Sequence, residues 1–568
     1  MISKNNQKLY DVIISGLGPT GLILGHQLAI RGHKILILEK EPNFYGNARA
    51  VYTDDECLRV FQSFGEAEAL QEKMLLDTPV QLVSSDGTIL VSIKDTNQKF
   101  GWPVFNFFYQ PYLETHLTEK LFAYKNVEIR RGREVIGFSQ SESEVIVRHN
   151  KTKSFRFTEE SDEKTLLNED SDETSDIGKY FIACDGGRSF VRTELGIEMT
   201  GKNFPEPWLV VDLLQKDPDI GLHHIPYFSF YCDPDCPTVS CPQPDGYHRF
   251  EFMLQKGQTK EYMERPSTVK QYLSKYVNPD HFEVKRKLVY TFNALVAREW
   301  RKGRVFLAGD AAHMTPQFIG QGMSAGVRDA NNLAWKLDLV LRGLANDELL
   351  NTYESERIDH VKEMIELAVF LKDLVSLSHP LGAIVRNSIL TGVSQSPMIG
   401  DLLNKGKIKP NPVYTNGKYF GLPRQLIRGV EGSLSPQPHV RTFKGKNVRL
   451  DDLLGIGFSV IGMGVNPLEF LKDDTVSELK EIGFSFVILY EHGSRPQGRN
   501  ISATQVKSIT EVEDIHGLMI TWFKDTIVGK NPIAILRPDR YTYGLVKPID
   551  LNEVLSQFIL DLKEKVLV

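Results

Sequence analysis

The chain has 568 residues, a formal net charge of −6 at pH 7, 25% charged residues and a mean hydropathy of −0.25. This length predicts several domains, and no apolar run or basic stripe indicates a membrane or nucleic-acid partner. The five cysteines form no C-x-x-C pair, so we expect a cytoplasmic protein without structural disulfides or a metal site.

Residues 11–39 form the first recognisable unit. A β-branched strand, DVIIS, leads into GLGPTG, a helical segment and a second apolar strand that ends at Glu39. Gly16 permits the tight turn, Gly18 lets the backbone approach a pyrophosphate, and Gly21 lets the helix pack on the strand. Glu39 can accept hydrogen bonds from a ribose diol. Because strand, spacing, helix and acid agree, we predict a dinucleotide site rather than a merely structural turn.

A stretch of alternating strands follows the second glycine-containing turn, YFIACDGGRSFVR at 180–192. Between the two turns, residues 159–176 hold nine acids and one lysine, which predicts a solvated loop. The strands of residues 204–292 alternate with turns and predict a separate layer facing the substrate.

The segment 309–323, GDAAHMTPQFIGQGM, lies between an apolar strand and a long helix. Its three glycines contribute little to a core, so the backbone must approach something closely there. Packing helices follow. Residues 405–440 are predicted to be a linker, and residues 441–568 an α/β module without cysteine.

The three motifs GLGPTG, CDGGRS and GDAAHMTPQFIGQGM, in this order, resemble those of the group A flavin-dependent aromatic hydroxylases, the family of p-hydroxybenzoate and phenol hydroxylases. Residues 231–254 and the C-terminal module are most similar to the 3-(3-hydroxyphenyl)propionate hydroxylase branch. The resemblance implies an α/β fold: a Rossmann-like FAD-binding domain (1–190 and 288–400), an inserted mixed β-sheet substrate domain (191–287), the linker, and a thioredoxin-like C-terminal domain without redox cysteines.

The resemblance also implies a site and a reaction. Non-covalent FAD would be reduced by NADH or NADPH, and O2 would form a flavin C4a-hydroperoxide that hydroxylates a phenolic ring, here a 3-hydroxyphenylpropanoate-like acid. Asp310 would bind the ribityl chain, and Pro316 would lie against the flavin ring. At Gln317 the sequence departs from the p-hydroxybenzoate enzyme, which has a proline. The other cofactor residues implied are Arg49, Gln110, Asp185, Gly320, Gln321, Gly322 and Met323.

Several alternatives remain open at this stage. The substrate could be a polycyclic polyketide or an antibiotic, and the fold could serve a binding protein without flavin. GMSAG at 322–326 matches the hydrolase G-x-S-x-G turn but lacks a strand directly before it. His313 is expected to be part of a structural turn. A homodimer is one possible assembly. The candidate substrate contacts are Tyr227, Tyr231 and Arg249. A zinc site is disfavoured by the spacing of its would-be ligands Cys232, Cys236, Cys241, His223, His224 and His248.

Overall fold

The structure of the protein is a computed structural model. It describes residues 8–44, 49–94, 98–152, 172–218, 220, 222, 224–396, 409–414, 419–496, 509–526 and 529–564. Most of the acidic segment 159–176, residue His223 and parts of the predicted linker therefore lie outside the described residues.

The strands are, in chain order, β1 (Leu9–Ser15), β2 (Ile35–Glu39), β3 (Tyr52–Thr53), β4 (Met74–Leu76), β5 (Val80–Val83), β6 (Ile89–Ile93), β7 (Asn106–Phe108), β8 (Val127–Arg131), β9 (Arg133–Gln140), β10 (Val145–Lys151), β11 (Thr174–Ala183), β12 (Met199–Gln215), β13 (Phe228–Tyr231), β14 (Thr238–Pro242), β15 (Tyr247–Met253), β16 (Phe282–Ala297), β17 (Arg301–Lys302), β18 (Val305–Leu307), β19 (His313–Met314), β20 (His439–Thr442), β21 (Asn447–Arg449), β22 (Ser459–Met463), β23 (Ser485–Glu491), β24 (Thr510–Asp514), β25 (Ile533–Leu536) and β26 (Thr542–Val546).

The α-helices are α1 (Pro19–Ala29), α2 (Asp55–Gln62), α3 (Ala67–Gln71), α4 (Gln110–Phe122), α5 (Phe190–Glu194), α6 (Lys260–Met263), α7 (Pro266–Leu273), α8 (Gly322–Leu341), α9 (Thr352–Val375), α10 (Pro380–Gln395), α11 (Asp451–Leu454), α12 (Asp473–Ile482), α13 (Leu518–Lys524) and α14 (Leu551–Glu564). Short 3-10 turns include Gly309–Ala311 and Gln317–Ile319.

A mainly parallel sheet forms the first layer. Its order is β17-β18-β11-β1-β2-β8, with β10 and β9 attached to β11. The pairs β18–β11, β11–β1, β1–β2 and β2–β8 are all parallel. The strands β1 and β2 are almost wholly buried, as expected for a parallel sheet covered by helices on both faces. Their carboxyl ends therefore share one edge, where ligands bind in such sheets.

A mixed eight-stranded sheet forms the second layer, in the order β19-β16-β12-β15-β14-β13-β5-β6. One face packs into the core of the first layer through Trp208, Phe230 and Phe292, and the other face is covered by α6 and α7. The predicted range 191–287 is therefore too narrow for this sheet. The strand β5 pairs in parallel with β13 and brings β6 with it, a long-range pairing that no local pattern signals.

The third layer is the C-terminal sheet, ordered β21-β20-β24-β23-β22-β25-β26. It packs against α8 through Trp335, whose indole shares a hydrophobic cluster with Phe420 and Phe458. Glu356 of α9 pairs with Arg537 of this module at 2.8 Å, with both side chains buried. Phe420 belongs to the stretch predicted to be a linker, and it is buried, as are Tyr414 and Leu434 of the same stretch, whereas residues 423–428 are exposed.

No single helix of the described ranges is sufficiently long and apolar to cross a bilayer. The segment Asp347–Val375 and helix α10 meet the criteria of length and composition only together, with a bend of 117° between them.

Candidate active site

The three sequence motifs meet at one edge of the parallel sheet. Strand β1 ends at Ser15, which lies opposite Ala183 at the end of β11, and Ala183 in turn lies opposite Leu307 at the end of β18. The turns that follow these strands are GLGPTG, CDGGRS and the start of the 309–323 segment. Arg192 joins two of them, because its guanidinium donates to the carbonyl oxygens of Gly187 and Ala311, each at 2.9 Å.

The first turn requires glycine at two positions. Gly16 has φ +102°, and a Cβ there would lie 2.3 Å from the carbonyl oxygen of Cys184. A Cβ on Gly21 would lie 2.1 Å from the carbonyl oxygen of Gly16. At Gly18, in contrast, a Cβ would meet no protein atom within 4 Å. Gly18 therefore borders open space, at the start of a helix that has no side-chain cap.

Glu39 holds this turn in place. One carboxylate oxygen accepts the backbone N–H of Leu17 at 2.7 Å, and the other accepts that of Glu41 at 2.8 Å. These two bonds fix the loop between β1 and α1 against the end of β2. Each carboxylate oxygen can accept more than one hydrogen bond, so the predicted contact with a ribose diol is compatible with this role.

Asp185 and Asp310 flank the same edge in different environments. Asp185 Oδ2 accepts the backbone N–H of Val191 at 3.2 Å, whereas Oδ1 is buried without a hydrogen-bond partner among the described residues. Burial raises the pKa of this carboxyl group. Asp310 is exposed on its 3-10 turn, directly after Gly309, whose backbone N–H donates to Asp329 Oδ2 at 3.0 Å. A buried oxygen without a donor and an exposed carboxylate both suit a polar ligand.

Gln110 and Arg249 hold the backbone at Arg49. The backbone N–H groups of Arg49 and Ala50 both donate to Gln110 Oε1 at 2.6 Å, and Gln110 donates in turn to Glu114 at 2.5 Å. Arg249 donates to the carbonyl oxygen of Arg49 at 2.5 Å. Two predicted cofactor residues and one predicted substrate residue are thus brought together, and Gln110 acts through the backbone. Burial raises the pKa of Glu114 to about 7.

Some residues of the 309–323 segment pack against protein atoms, and others border open space. A Cβ on Gly309 or on Gly326 would lie within 2.5 Å of Thr20 Oγ1, so these glycines permit the close approach of α1. Gly320 has φ +61° and lies against the Tyr52 ring, and Pro316 is buried. A Cβ on Gly322, the first residue of α8, would meet nothing within 4 Å.

The amino end of α8 points its backbone N–H groups at this open space. It has no side-chain cap and no acidic residue in its first turn, and Met323 is half-buried there. The helix dipole gives such an end a partial positive charge, which favours an anionic ligand.

A buried charge cluster behind this segment was not predicted from the sequence. Gln321 donates to Asp54 at 3.2 Å and accepts from Arg328 at 2.9 Å. Arg328 also bonds Asp54 and Glu56, and Lys409 reaches the same two acids. The carboxylates of Asp54, Asp55 and Glu56 lie within 4.8 Å of one another, but these two cations already compensate them. The side chain of Gln321 is thus turned away from the open space in front of α8.

A second buried polar group lies on the face of the mixed sheet that meets the first layer. Asp212, Arg249 and Arg286 are paired side by side on β12, β15 and β16. Asp212 lies 2.6 Å from Arg249 Nε and 2.8 Å from Arg286 Nε. Glu251 follows on β15, and burial raises its pKa to about 7, against the lowering effect of Arg249.

This polar face adjoins the predicted flavin segment. Tyr290 of β16 donates its hydroxyl hydrogen to Gln317, next to Pro316. Trp208 packs edge-on against Phe318, with ring centroids 5.0 Å apart. Sequence analysis identified only Arg249 on this face. The signal available in the sequence for the other residues was the presence of charged residues in otherwise apolar strands, as in LVVDLL and RFEFML.

Tyr231 is not on this face, and its contact with the substrate stays a prediction. It pairs with Thr238, and Thr238 pairs with Phe252, on the face covered by α6 and α7. Its ring packs on Tyr276, with centroids 4.8 Å apart. Strand alternation is the reason, because Phe230 takes the other face. Tyr227 precedes β13 and is 39% exposed.

The remaining candidate residues have the surroundings of residues that stabilise the fold. His313 is buried, with Nε2 2.6 Å from Asp329, which also bonds Arg357 at 2.9 Å. Within the described residues, Cys232, Cys236 and Cys241 do not gather with histidine into a possible metal site. Ser324 of the GMSAG stretch is buried within α8, not on a turn after a strand.

The residues at the sheet edge fit FAD. The space in front of Gly18 and Gly322, the two helix ends without side-chain caps, and the buried oxygen of Asp185 without a partner provide a glycine cradle and polar contacts for a dinucleotide.

Comparison with known proteins agrees with this fit. Residues 9–368 match the family model described as FAD binding domain, and residues 432–561 match the HcaD C-terminal domain. The 3-(3-hydroxy-phenyl)propionate/3-hydroxycinnamic acid hydroxylase of Comamonas testosteroni is 31% identical over 96% of each chain. The enzyme of the same name from Escherichia coli is 33% identical over 96% of this chain and 94% of its own. The chain belongs to the FAD-dependent aromatic hydroxylases.

Members of this family are flavoprotein monooxygenases, and this chain is accordingly an enzyme that binds FAD and uses NAD(P)H as co-substrate. Solved structures share the fold. The flavin-dependent monooxygenase PieE, in complex with FAD and substrate, has a TM-score of 0.77 at 17% identity and covers 97% of this chain and 99% of its own. Aklavinone-11 hydroxylase, with FAD and aklavinone, has a TM-score of 0.76 at 20% identity over 99% and 100%.

Proposed function

We propose that the enzyme uses NAD(P)H and O2 to hydroxylate the phenolic ring of a small aromatic acid similar to 3-(3-hydroxyphenyl)propanoate. The observation that carries this substrate class is the polar face of the mixed sheet. It presents the buried guanidinium group of Arg249, the partly buried one of Arg286, a buried carboxyl group and a tyrosine beside the predicted flavin segment. Arg286 pairs with Asp212 through Nε at 2.8 Å, and with Arg249 it gives this face the guanidinium groups that an anionic group of a substrate would require.

The residues that would hold FAD are those gathered at the sheet edge. Gly16, Gly18 and Gly21 would form the pyrophosphate turn and Glu39 the ribose contact, while Gln110 would fix the backbone at Arg49. The ribityl chain and ring would meet Asp185, Asp310, Pro316, Gly320, Gly322, Met323 and the backbone of Gln321. The chemistry that FAD supplies when bound is electron transfer from NAD(P)H and activation of O2.

The protein's own contribution is to bind, orient and exclude water. The uncapped end of α8 would favour negative charge on the ring system at its backbone N–H groups. The buried polar face would orient the phenol, and aromatic side chains such as Trp208 and Phe318 would keep water away from the reacting atoms.

A direct test is NAD(P)H oxidation by the purified protein with a panel of phenols, with product masses measured. We expect 3-(3-hydroxyphenyl)propanoate to stimulate oxidation and to yield a product heavier by one oxygen atom. A yellow protein that no simple phenol stimulates would favour the alternative substrate, a polycyclic polyketide, for which the fold shared with aklavinone-11 hydroxylase is the supporting observation. A colourless protein that does not take up added FAD would contradict both.

The finer domain arrangement is also a proposal. It keeps the discontinuous FAD-binding domain and the inserted sheet, extended by β5 and β6. In the C-terminal module, β22 and β23 are parallel neighbours joined through α12, β25 and β26 add antiparallel strands, and α14 follows. This order supports a thioredoxin-like domain. Its strands carry no cysteine, which supports a structural role.

We propose a homodimer in the cytoplasm. Helix α10 supports self-association, because four of its apolar side chains are more than half exposed on one helical face: Leu381, Ile384, Val385 and Ile389. Light scattering on the eluted protein tests this, with a monomer as the contrary result. The five thiols are all free in the structure, which is compatible with a reducing compartment.

A further inference from the structure

Glu251 is a buried carboxyl group that lacks a hydrogen-bond partner among the described residues. It lies on the central part of β15 and is 6% exposed. Its ion-pair partner is Arg249, with Nη1 4.0 Å from Oε1, which is beyond hydrogen-bond distance. Buried carboxyl groups in proteins are normally hydrogen-bonded, so one whose partner is a guanidinium group at 4.0 Å leaves room for a ligand that supplies the missing contact.

The charges around Glu251 show what kind of ligand this is. Two guanidinium groups, Arg249 and Arg286, converge on the single carboxylate of Asp212, at 2.6 and 2.8 Å. The two cations are balanced only when a second anion is present. Glu251 itself can be that anion, or it can be protonated while an anion forms on a bound molecule next to it.

The position of Glu251 places it on the substrate side of the site. Its strand neighbour Arg249 bonds the backbone at Arg49, and Tyr290 on the same face bonds Gln317 beside Pro316. A phenol bound between this face and the predicted flavin segment would therefore have its hydroxyl group within reach of the carboxylate.

We propose that Glu251 is a catalytic residue that accepts the phenolic proton of the bound substrate. This inference rests on the proposed function. In the step, the phenolic O–H bond breaks, its proton bonds to a carboxylate oxygen of Glu251, and the electron pair stays on the phenolate oxygen. The net charge of the site does not change, and the guanidinium groups stabilise the phenolate in place of the carboxylate. The phenolate ring is richer in electrons than the phenol ring and is therefore a stronger nucleophile toward an electrophilic oxygen.

The surroundings allow both protonation states near neutral pH. Burial raises the pKa of Glu251 to about 7, Arg249 and Arg286 lower it, and Asp212 raises it. The other titratable groups facing it are Tyr290 on β16 and Cys241 on β14, and burial raises the pKa of each well above its usual value. Neither therefore competes for the proton at pH 7.

The experiment uses the FAD-loaded enzyme without NAD(P)H and records the ultraviolet difference spectrum of bound 3-(3-hydroxyphenyl)propanoate from pH 5.5 to 9. We expect the phenolate band to appear with a midpoint near pH 7 in the wild type. In Glu251→Gln the ligand should bind as the neutral phenol at pH 7, and kcat should fall at least 100-fold with KM changed less than about threefold. Glu251→Asp should restore part of the phenolate band. The matched control is Glu283→Gln, an exposed acid on the same sheet, which should change neither.

Each outcome bears on one proposal. If the wild type hydroxylates the phenol but Glu251→Gln keeps the phenolate band and kcat, the role of Glu251 is wrong and the proposed function stands. If no phenol stimulates the wild type, both are wrong. If Glu251→Gln does not fold, the wild-type titration still decides, because a bound phenol that shows no phenolate below pH 8 contradicts the proposal.

Discussion

Arg249 and Asp212 form a buried ion pair, with Nε 2.6 Å from Oδ1, and the same guanidinium donates to the carbonyl oxygen of Arg49 at 2.5 Å. The pair lies on the mixed sheet, whereas Arg49 belongs to the segment that Gln110 holds next to the nucleotide site. One side chain thus connects the polar face of the mixed sheet to the cofactor region. Its loss should affect both stability and FAD binding.

Arg249→Met is expected to lower the free energy of unfolding by about 3 kcal/mol, because Asp212 is left with less compensation in a buried site. FAD affinity should also fall, since the backbone at Arg49 loses a hydrogen bond. Chemical denaturation and FAD titration measure the two effects. Lys270→Met, which removes an exposed pair with Asp280, is the control and should cost less than about 1 kcal/mol. Equal costs for the two variants would contradict the prediction.

Gly18→Ala is expected to weaken FAD binding by about tenfold or more, or about 1.4 kcal/mol, while leaving the stability of the FAD-free protein within about 0.5 kcal/mol. A Cβ at this position meets no protein atom within 4 Å, so it would collide only with a ligand. Fluorescence titration with FAD and thermal unfolding of the FAD-free protein measure the two quantities.

The comparison variants for Gly18 separate the ligand from the fold. Gly16→Ala should destabilise the FAD-free protein itself, because its Cβ would lie 2.3 Å from a carbonyl oxygen at φ +102°. Gly392→Ala, on an open part of α10, should leave FAD binding unchanged and should not destabilise the FAD-free protein. If Gly18→Ala unfolds the FAD-free protein as Gly16→Ala does, the position is structural and the prediction fails.

Glu356 is expected to contribute stability that depends on pH. Burial raises its pKa, but Arg537 and Lys336 outweigh this and lower it to about 2 from 4.5. A depressed pKa in the folded protein means that the contribution is complete above pH 4.5 and is lost as the pH falls toward 2. The difference in unfolding free energy between the wild type and Glu356→Gln should be about 3 kcal/mol at pH 7 and smaller at pH 3.

Urea denaturation at several pH values measures this difference. Glu478→Gln, which removes an exposed pair with Lys563, should differ from the wild type by less than about 1 kcal/mol throughout. A difference for Glu356→Gln that is constant from pH 7 to pH 3 would show that the ion pairs with Arg537 and Lys336 are not its source.

The sheet edge could be predicted from the sequence because its determinants are local. Gly16, Gly18 and Gly21 follow a strand at fixed spacing, and parallel strands end at the same edge, so the meeting of the motifs follows from strand order. The polar face could not be predicted. Whether Asp212 or its neighbours face the site depends on how β12 pairs with β15 and β16, and a shift of one residue would reverse every side chain.

The same dependence on strand pairing decides the position of Tyr231. The tyrosine belongs to a strand in which alternate residues face opposite layers, and only the pairing through Thr238 to Phe252 places it with Tyr276. The charge cluster around Asp54 was missed for a related reason. Arg328 and Lys409 are distant from it in sequence, and neither lies in a motif that indicates an acid partner.

Tyr290 and Tyr231 provide a matched pair for testing which face of the sheet meets the substrate. Tyr290→Phe removes the hydroxyl group that donates to Gln317 beside the predicted flavin segment, so kcat/KM for the phenol should fall about tenfold, equivalent to about 1.4 kcal/mol. Tyr231→Phe removes a hydroxyl group on the far face and should leave kcat/KM within about twofold. Steady-state NAD(P)H oxidation with product analysis measures both. A larger loss for Tyr231→Phe than for Tyr290→Phe would place the substrate on the face covered by α6 and α7, and would contradict the site described here.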